Sequence, residues 1–290
     1  MNLLHPIPES LSIEPTSRCN SRCVICPRTH NSGKREDVDI DFDLCLDVVK
    51  QSLDIGVNAV LVEWIGEPTL HPRYTELIVQ IRKLCDLAPR AVKLYHYTNG
   101  SKLGNPEIRK TILDNLDELR ISIEGATILE MEKTRPGLNQ QDIKEGVRCL
   151  WEDRKKRKAK KPKIVIRKTI LPNKEANFVS NWKKYCDSIV QIQYVDFFNR
   201  KILNLANKPC GDVFSHIGVT ATGNVVMCCR DYNEDVVYGN VYRNTLRDIF
   251  YGERATEIRK LHIDGKANNI ERCARCTAPK ALPVQYRNCI

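Results

Sequence analysis

Apolar residues recur along the first two thirds of the chain in two alternating patterns, short compact runs and longer amphipathic segments. One short run, Ala59 to Ile65, is apolar almost throughout and is interrupted by Glu63. Such a run is typical of a parallel strand that is buried on both faces. The short runs predict six strands: Ser10–Thr16, Ala59–Ile65, Val92–Thr98, Leu119–Ile123, Ile164–Leu171 and Ile189–Phe198.

Helical patterns separate these strands. One helix is predicted from Asp41 to Gly56, another opens at His71-Pro72, and a third follows Asn105, which is placed as an N-cap with proline in the first turn. Residues 143–151 and 173–185 continue the alternation. Strands that alternate with helices favour parallel βαβ units with right-handed crossovers, so we expect an open or closed α/β barrel.

The alternation of predicted strands and helices ends after about residue 200. Val219–Ala221 and Asn224–Met227, joined by Thr222-Gly223, predict a β-hairpin. Thr245 to His262 predicts a helix, and the chain from Arg272 onward is interpreted as loop. We therefore expect two domains, residues 1–200 and residues 201–290.

Composition and charge narrow the classes of protein. The 290 residues are 42% hydrophobic, which is enough for a large core, and no run of eighteen apolar residues predicts a membrane span. Residues 1–15 lack the pattern of a secretory signal, so we expect a cytoplasmic protein.

The net charge is +10, and eight of the twelve residues at 152–163 are basic. This segment is either a solvated helix end or a docking patch for an anionic partner. It lacks the interleaved aromatic residues of a single-strand binder, so we do not expect nucleic acid as a ligand.

The thirteen cysteines are concentrated in two groups. In a reducing compartment clustered cysteines indicate metal rather than disulfides. Cys19, Cys23 and Cys26 lie within eight residues on a loop after the first predicted strand. Three thiolates can hold three irons of a cubane cluster and leave the fourth iron open to another ligand. A closed zinc site would need a fourth ligand, and His30 and Cys45 are poorly spaced for one.

This C-x3-C-x2-C loop resembles that of the radical S-adenosylmethionine (SAM) enzymes. The resemblance implies a partial (β/α)6 TIM-like barrel in which SAM chelates the open iron and is cleaved by one electron to a 5′-deoxyadenosyl radical. It also implies a flavodoxin- or ferredoxin-type electron donor.

Short motifs at successive strand ends extend the resemblance. Gly66-Glu67-Pro68 is similar to the family's motif that holds the methionine amino group, although Ile65 replaces its first glycine. By the same resemblance, Ser122 would contact the ribose or carboxylate and Glu124 replaces an aspartate. The full set of SAM-binding residues that the resemblance implies is Ile25 against the adenine, Gly66, Glu67, Pro68, Asn99, Ser122, Glu124 and Arg135 on the carboxylate.

The second cysteine group lies behind the predicted barrel. Four thiolates, Cys210, Cys228, Cys273 and Cys276, could close a second cluster or a zinc site. Their arrangement resembles the auxiliary-cluster module called SPASM, or twitch in its short form, which implies one auxiliary cluster and hence two [4Fe-4S] clusters in all. Cys229 could compete with Cys228, and Cys289 is expected to be free.

The resemblance leads to a function with alternatives. We expect redox modification, by dehydrogenation or epimerisation, of an unactivated C–H bond on a small sugar-like or cyclitol-like molecule, since a relative with the short module oxidises an aminocyclitol alcohol. The alternative is modification of a ribosomally made peptide or protein side chain, which would need a separate leader-binding protein because only about ten residues precede the first strand. A cluster-bearing scaffold or nucleic-acid-binding module is the third class. Asp231 and Glu63 are weak candidates for a catalytic base.

Overall fold

We analysed the chain in a computed structural model, which describes residues 3–30, 35–170, 177–193 and 209–276. Within these ranges one nine-stranded sheet runs through the molecule in the order β6-β5-β4-β3-β2-β1-β7-β8-β9. Its strands are β1 (Ser10–Ile13), β2 (Ala59–Val62), β3 (Lys93–Thr98), β4 (Glu118–Ser122), β5 (Lys163–Ile170), β6 (Ser188–Gln193), β7 (His216–Val219), β8 (Asn224–Val226) and β9 (Val237–Asn240).

The first six strands are parallel and lie side by side in chain order. Helices connect them, as in an α/β barrel, and the prediction of a partial TIM-like barrel is confirmed. The helices are α1 (Pro27–His30), α2 (Phe42–Asp54), α3 (Tyr74–Leu87), α4 (Pro106–Asn115), α5 (Ile128–Thr134), α6 (Gln140–Lys156), α7 (Phe178–Trp182), α8 (Asp212–Ser215), α9 (Leu246–Tyr251), α10 (Glu253–Ile263) and α11 (Glu271–Ala274).

The helix starts follow from local chemistry. Asp41 caps α2 by accepting a hydrogen bond from the amide of Leu44, and Asn105 caps α4 in the same way through the amide of Glu107. Thr127 and Glu130 form a reciprocal capping box at the start of α5. These helices pack apolar side chains on the outer face of the sheet, where one large core lies.

The carboxyl-terminal segment joins the same sheet. β7 pairs with β1 in parallel, with Ser10 opposite His216, and then turns back through Gly223 into the antiparallel strand β8. Gly223 has φ +80°, a conformation that favours glycine, so the predicted hairpin turn is confirmed. A second, smaller core lies among α8, α10, α11 and the loop between β8 and β9, and it includes Phe214.

Three sequence expectations are corrected. The single helix expected over Thr245–His262 is two helices, because Gly252 has the extended ψ of 171° and serves as the C-cap of α9 and the N-cap of α10. The loop expected from Arg272 begins with the short helix α11. The strand expected over Ala59–Ile65 to be buried on both faces stops at Val62, and its inward residues Ala59 and Leu61 are only half-buried. The expected elements at 173–185 and 189–198 fall partly outside the described residues, and Cys289 falls wholly outside them.

Candidate active site

The three-cysteine loop follows β1 and lies at the carboxyl edge of the parallel strands. Hydrogen bonds join it to the segment after α5: the amide of Arg22 donates to Pro136 O at 2.9 Å, and the amide of Val24 donates to Thr134 O at 3.0 Å. Asn20 accepts from the side-chain amide of Asn99 at 2.9 Å and thereby joins the loop to the end of β3. The loop is therefore held by two other parts of the barrel.

Cys19, Cys23 and Cys26 all line one cavity of about 830 Å³ at this edge of the sheet. Burial, Glu67 and the other two thiols raise the pKa of Cys19 to about 12. No three His, Cys, Asp or Glu side chains in the described ranges surround a single-metal position, and a cubane instead takes each thiolate on a different iron. The three thiols around one cavity therefore fit an iron–sulfur cluster with one open iron.

The loop after β2 passes against the cysteine loop without space for a side chain. A Cβ at Gly66 would lie 1.8 Å from Thr16 O and 3.0 Å from Arg18 O. The next amide, that of Glu67, donates to Arg18 O at 2.8 Å. Glycine is therefore required here by close backbone approach, and this cradle fits a ligand held beside the cluster.

The Glu67 carboxylate is used within the protein. It accepts hydrogen bonds from the Thr98 hydroxyl at 2.7 Å and from the Asn99 amide at 2.7 Å, and also from the hydroxyl and amide of Thr69. Oε1 accepts three of these bonds and Oε2 accepts one, so most of the roughly four lone-pair sites of the carboxylate are used within the protein. These bonds join the β2 loop to the end of β3.

Most of the other residues predicted to bind SAM also line the cavity. Glu124 and Arg135 form a buried ion pair with each other, so Arg135 already has a carboxylate partner within the chain. Pro68 is buried in the 3-10 turn that follows Glu67 and is not part of the lining. The predicted residues that do line the cavity are Ile25, Gly66, Glu67, Asn99, Ser122, Glu124 and Arg135.

The two candidate bases lie in different places. Glu63 lines the cavity, and its carboxylate accepts a 2.6 Å hydrogen bond from the Ser12 hydroxyl. Asp231 lies in the turn between β8 and β9 outside the lining, where its carboxylate accepts from the amides of Asp235 at 2.9 Å and Val236 at 2.8 Å. The structure thus brings Glu63, and not Asp231, to the cysteine loop.

The inner face of the barrel is polar. Alternate residues of each strand point to opposite faces of a sheet. Beside apolar Leu61, most of the inward side chains that line the cavity carry hydroxyl, phenol or charged groups, whereas a TIM barrel is usually filled by branched apolar residues. The polar inner residues that line the cavity are Ser10, Glu63, Tyr97, Arg120, Ser122, Arg167 and Thr169.

Glu14 is a site residue that sequence reasoning missed. It is buried, accepts from the amides of Ile65 and Gly66 at 3.3 Å, and also accepts from the amide of Ala221 at 3.0 Å. Burial raises the pKa of its carboxyl, and the ion pair with Arg35 opposes that effect. The available signal was an acidic residue at the end of an apolar strand. Glu14 joins the β2 loop to the carboxyl-terminal hairpin.

The second cysteine group gathers around the smaller core. The amide of Cys210 donates to His262 Nδ1 at 3.2 Å, and the Cys273 thiol lies 3.6 Å from His262 Nε2. Burial and the neighbouring thiols of Cys210 and Cys276 raise the pKa of Cys273 to about 12. Cys228 packs in the same core as Cys273. All four predicted auxiliary ligands therefore lie near one another, with His262 between two of them.

Comparisons with known proteins bear on both cysteine groups. A family model described as the radical SAM superfamily matches residues 13–153, and a model described as an iron-sulfur cluster-binding domain, SPASM, matches residues 210–277. The two matches together cover most of the chain and each contains one of the cysteine groups.

Two curated proteins are similar in sequence. An S-adenosyl-L-methionine-dependent 2-deoxy-scyllo-inosamine dehydrogenase from Niallia circulans is 25% identical over 268 residues, which are 92% of this chain and 91% of that protein. A tungsten-containing aldehyde ferredoxin oxidoreductase cofactor-modifying protein from Pyrococcus furiosus is 26% identical over 147 residues. That second match spans 49% of this chain and 39% of the Pyrococcus protein.

Solved structures share the fold at low identity. BtrN in complex with AdoMet and 2-DOIA superimposes with a TM-score of 0.62 at 18% identity, and 93% of each chain is covered. Streptococcus suis SuiB bound to its precursor peptide SuiA gives a TM-score of 0.68 at 13% identity, covering 88% of this chain and 67% of SuiB.

These findings confirm the expected family and cofactors. The radical SAM domain binds SAM and a [4Fe-4S] cluster, and the SPASM domain binds auxiliary iron–sulfur clusters. Nothing in the comparisons tests the individual ligands, which stay predictions. The chain belongs to the radical SAM superfamily and is an enzyme with a SPASM iron–sulfur domain after its barrel.

Proposed function

We propose that the protein performs a radical redox modification, by dehydrogenation or epimerisation, of a small polar sugar-like or cyclitol-like molecule. When bound, SAM and the two clusters supply a 5′-deoxyadenosyl radical that takes a hydrogen atom from a C–H bond, and an acceptor for one electron. The observation that carries the proposal is the polar inner face of the barrel, which offers hydrogen-bonding groups to hydroxyls beside the cysteine loop. The dehydrogenase similar over 92% of this chain supports the same class of substrate.

The dimensions of the cavity also support a small substrate. Small-molecule sites have volumes of roughly 300–1,000 Å³, and this cavity of about 830 Å³ must hold SAM as well as the substrate. Ser10, Tyr97 and Thr169 line it and can orient hydroxyl groups.

We propose that Glu63 accepts the proton of the reacting hydroxyl during dehydrogenation. Oxidation of a C–H/O–H pair to a carbonyl releases one hydrogen atom, one proton and one electron. Glu63 lines the cavity at the end of β2, and the Ser12 hydroxyl fixes one of its oxygens at 2.6 Å. Glu63→Gln should lower the rate of carbonyl formation by about a hundredfold while SAM cleavage without substrate is unchanged. An unchanged rate of carbonyl formation would exclude Glu63 as the base.

The test of function is anaerobic incubation of the reconstituted enzyme with SAM, a one-electron reductant and a panel of sugars, cyclitols and amino-sugars. The expected result is 5′-deoxyadenosine formation above the substrate-free level for at least one compound, together with a two-hydrogen loss or an inverted centre in that compound. Cys23→Ser is the control without turnover. Failure across the panel, with stimulation by a short peptide, would instead favour peptide modification.

A further inference from the structure

Two arginines on neighbouring strands lie beside the same tyrosine in the cavity. Tyr97 on β3 is opposite Arg120 on β4, and Arg167 on β5 is opposite Ser122, one inward position further along β4. The centroid of the Tyr97 ring is 5.0 Å from Cζ of Arg120 and 5.5 Å from Cζ of Arg167. Two guanidinium groups are thus held within reach of one inner surface of the barrel.

The two arginines differ in their counter-charge. Arg120 forms an ion pair with Glu118 and donates to the Tyr97 hydroxyl. Among the described residues Arg167 forms no ion pair with a carboxylate, and its guanidinium lies against the Tyr97 ring in the cavity. Arg167 is partly buried, and a partly buried cation without a counter-charge is costly unless a ligand supplies one.

Another guanidinium lines the cavity from the SPASM side. Arg230 follows Cys229 in the loop between β8 and β9, and its Nε is buried without a hydrogen-bond partner among the described residues. Arg167 and Arg230 therefore present two positive charges from different elements to one cavity.

We propose that the substrate carries a carboxylate or phosphate group, which binds to Arg167 with help from Arg230 and the Tyr97 hydroxyl. The planar fork of a guanidinium holds two oxygens of such a group at once. This inference rests on the proposed redox function and narrows its substrate to an acid or a phosphate ester, in contrast to an uncharged or amine-bearing cyclitol.

The competing anion is the carboxylate of SAM, and binding measurements separate the two. Anaerobic holoenzyme saturated with SAM is titrated with glucuronate, glucose 6-phosphate, glucose and glucosamine by calorimetry. The expected result is that one of the two acids binds about ten- to a hundredfold more tightly than glucose, and that salt weakens this preference. Tighter binding of glucuronate would identify the group as a carboxylate, and tighter binding of glucose 6-phosphate would identify it as a phosphate. Equal or tighter binding of glucose or glucosamine overturns the proposal.

Variants assign the preference to a residue. Arg167→Gln should remove the preference for the acid, and Arg167→Lys should retain part of it because the charge remains without the fork. Arg148→Gln, which changes an exposed arginine on α6, is the matched control and should change nothing. SAM affinity is measured in the same variant, because the carboxylate of SAM is the competing anion. Weaker SAM binding with an intact acid preference would place Arg167 on the cofactor and overturn the proposal.

The two proposals fail separately. Arg167-dependent binding of an acid without any stimulated 5′-deoxyadenosine would support the anion site and count against the redox function for these compounds. Turnover of an uncharged sugar at the same rate as its acid would support the redox function and count against the anion site.

Discussion

Cys228 and Cys229 are adjacent in sequence and face different parts of the molecule. Cys228 packs in the smaller core with Cys273, whereas Cys229 lines the barrel cavity with the three-cysteine loop. In the sequence, Cys229 could compete with Cys228 as an auxiliary ligand, although the spacing from Gly223 favours Cys228. Their environments favour Cys228 as the ligand.

This difference leads to a prediction about metal content. Cys228→Ala should lose the auxiliary cluster, about half of the iron in a protein with two [4Fe-4S] clusters, while Cys229→Ala should keep the iron of the parent. Iron and sulfide analysis with a spectrum of each anaerobically reconstituted variant measures this. Equal iron loss in both variants, or loss in Cys229→Ala alone, would contradict the assignment.

Gly66 offers a second prediction at the scale of a residue. Gly66→Ala would place a Cβ 1.8 Å from Thr16 O, so the β2 loop must move away from the cysteine loop. SAM affinity should fall by at least about tenfold, since a shift of this size displaces the groups that hold the ligand. Gly104→Ala is the matched control, because a Cβ there meets no atom within 4 Å. The comparison is made by equilibrium binding of SAM, and equal affinities would refute the close-approach argument.

At the scale of elements, the local sequence pattern predicts strands and helices, whereas the pairing of strands that are distant in the chain is not predictable from it. The first five strands and the longer helices α2, α3, α4 and α6 were predicted to within a few residues, because apolar spacing and caps such as Asp41 and Asn105 are local signals. The short helix α5 was missed. The pairing of β7 with β1 joins residues 206 positions apart, and no local pattern encodes it. The polar lining of the cavity was missed because its side chains come from alternate positions of several separate strands.

The residues of the candidate site likewise divide into those that the sequence identifies and those that it does not. The cysteines and the strand-end motifs were identifiable, since their spacing is regular and they lie at the ends of consecutive strands. Glu14 and Arg167 were not identifiable. Glu14 is distinguished by hydrogen bonds to distant parts of the chain, and Arg167 by its lack of a carboxylate partner among the described residues. Neither property is visible in the local sequence.

Asp117 joins several elements at the amino-terminal end of the barrel. Its carboxylate accepts from Arg82 at 2.9 Å and from the amide of Leu94 at 2.9 Å, and it pairs with Lys161. Burial alone would raise the pKa of Asp117, and the bonds from Lys161 and the Leu94 amide instead hold that pKa below its usual value. The side chain thus links α3, β3 and the segment before β5.

We expect Asp117→Asn to lower the free energy of unfolding by about 1–3 kcal/mol near pH 7. A lowered pKa in the folded state stabilises the protein above the unfolded-state pKa, and this contribution is lost as the pH falls through the folded-state pKa. The difference between variant and parent should therefore shrink below about pH 4. Urea unfolding from pH 7 to pH 3 measures it. Asp114→Asn, in exposed ion pairs with Lys110 and Arg157, is the control and should cost less than about 1 kcal/mol.

At the scale of the whole molecule, the basic segment and the cysteine loop lie at opposite ends of the barrel. The segment includes the end of α6 and precedes β5, so it lies at the amino edge of the parallel strands, whereas the cysteine loop lies at their carboxyl edge. Parts of it are already paired, since Arg154 binds Asp187 and Arg157 binds Asp114. This placement favours a solvated helix end over a dock for an electron donor. In the described ranges, no helix is both long and apolar enough to cross a bilayer.

A triple substitution tests this placement. Lys155, Lys156 and Lys158 are exposed, and their joint change to Gln should leave SAM cleavage driven by reduced flavodoxin within about twofold of the parent, because a docking charge acts over about a Debye length of 10 Å. The same assay with dithionite controls for damage to the enzyme. A tenfold loss with flavodoxin alone would identify the segment as the donor's binding surface.

The parallel pairing of β7 with β1 means that the barrel has no free edge at its first strand. If the chain were cut between the two family domains, the amide and carbonyl groups of Ser10–Ile13 that now face β7 would be left open beside apolar Leu11 and Ile13. Such an edge recruits strands from other molecules, so an excised barrel should aggregate where the intact chain does not. The same ladder ties the strand before the three-cysteine loop to the strand that follows Cys210, so both cysteine groups are anchored to one continuous sheet.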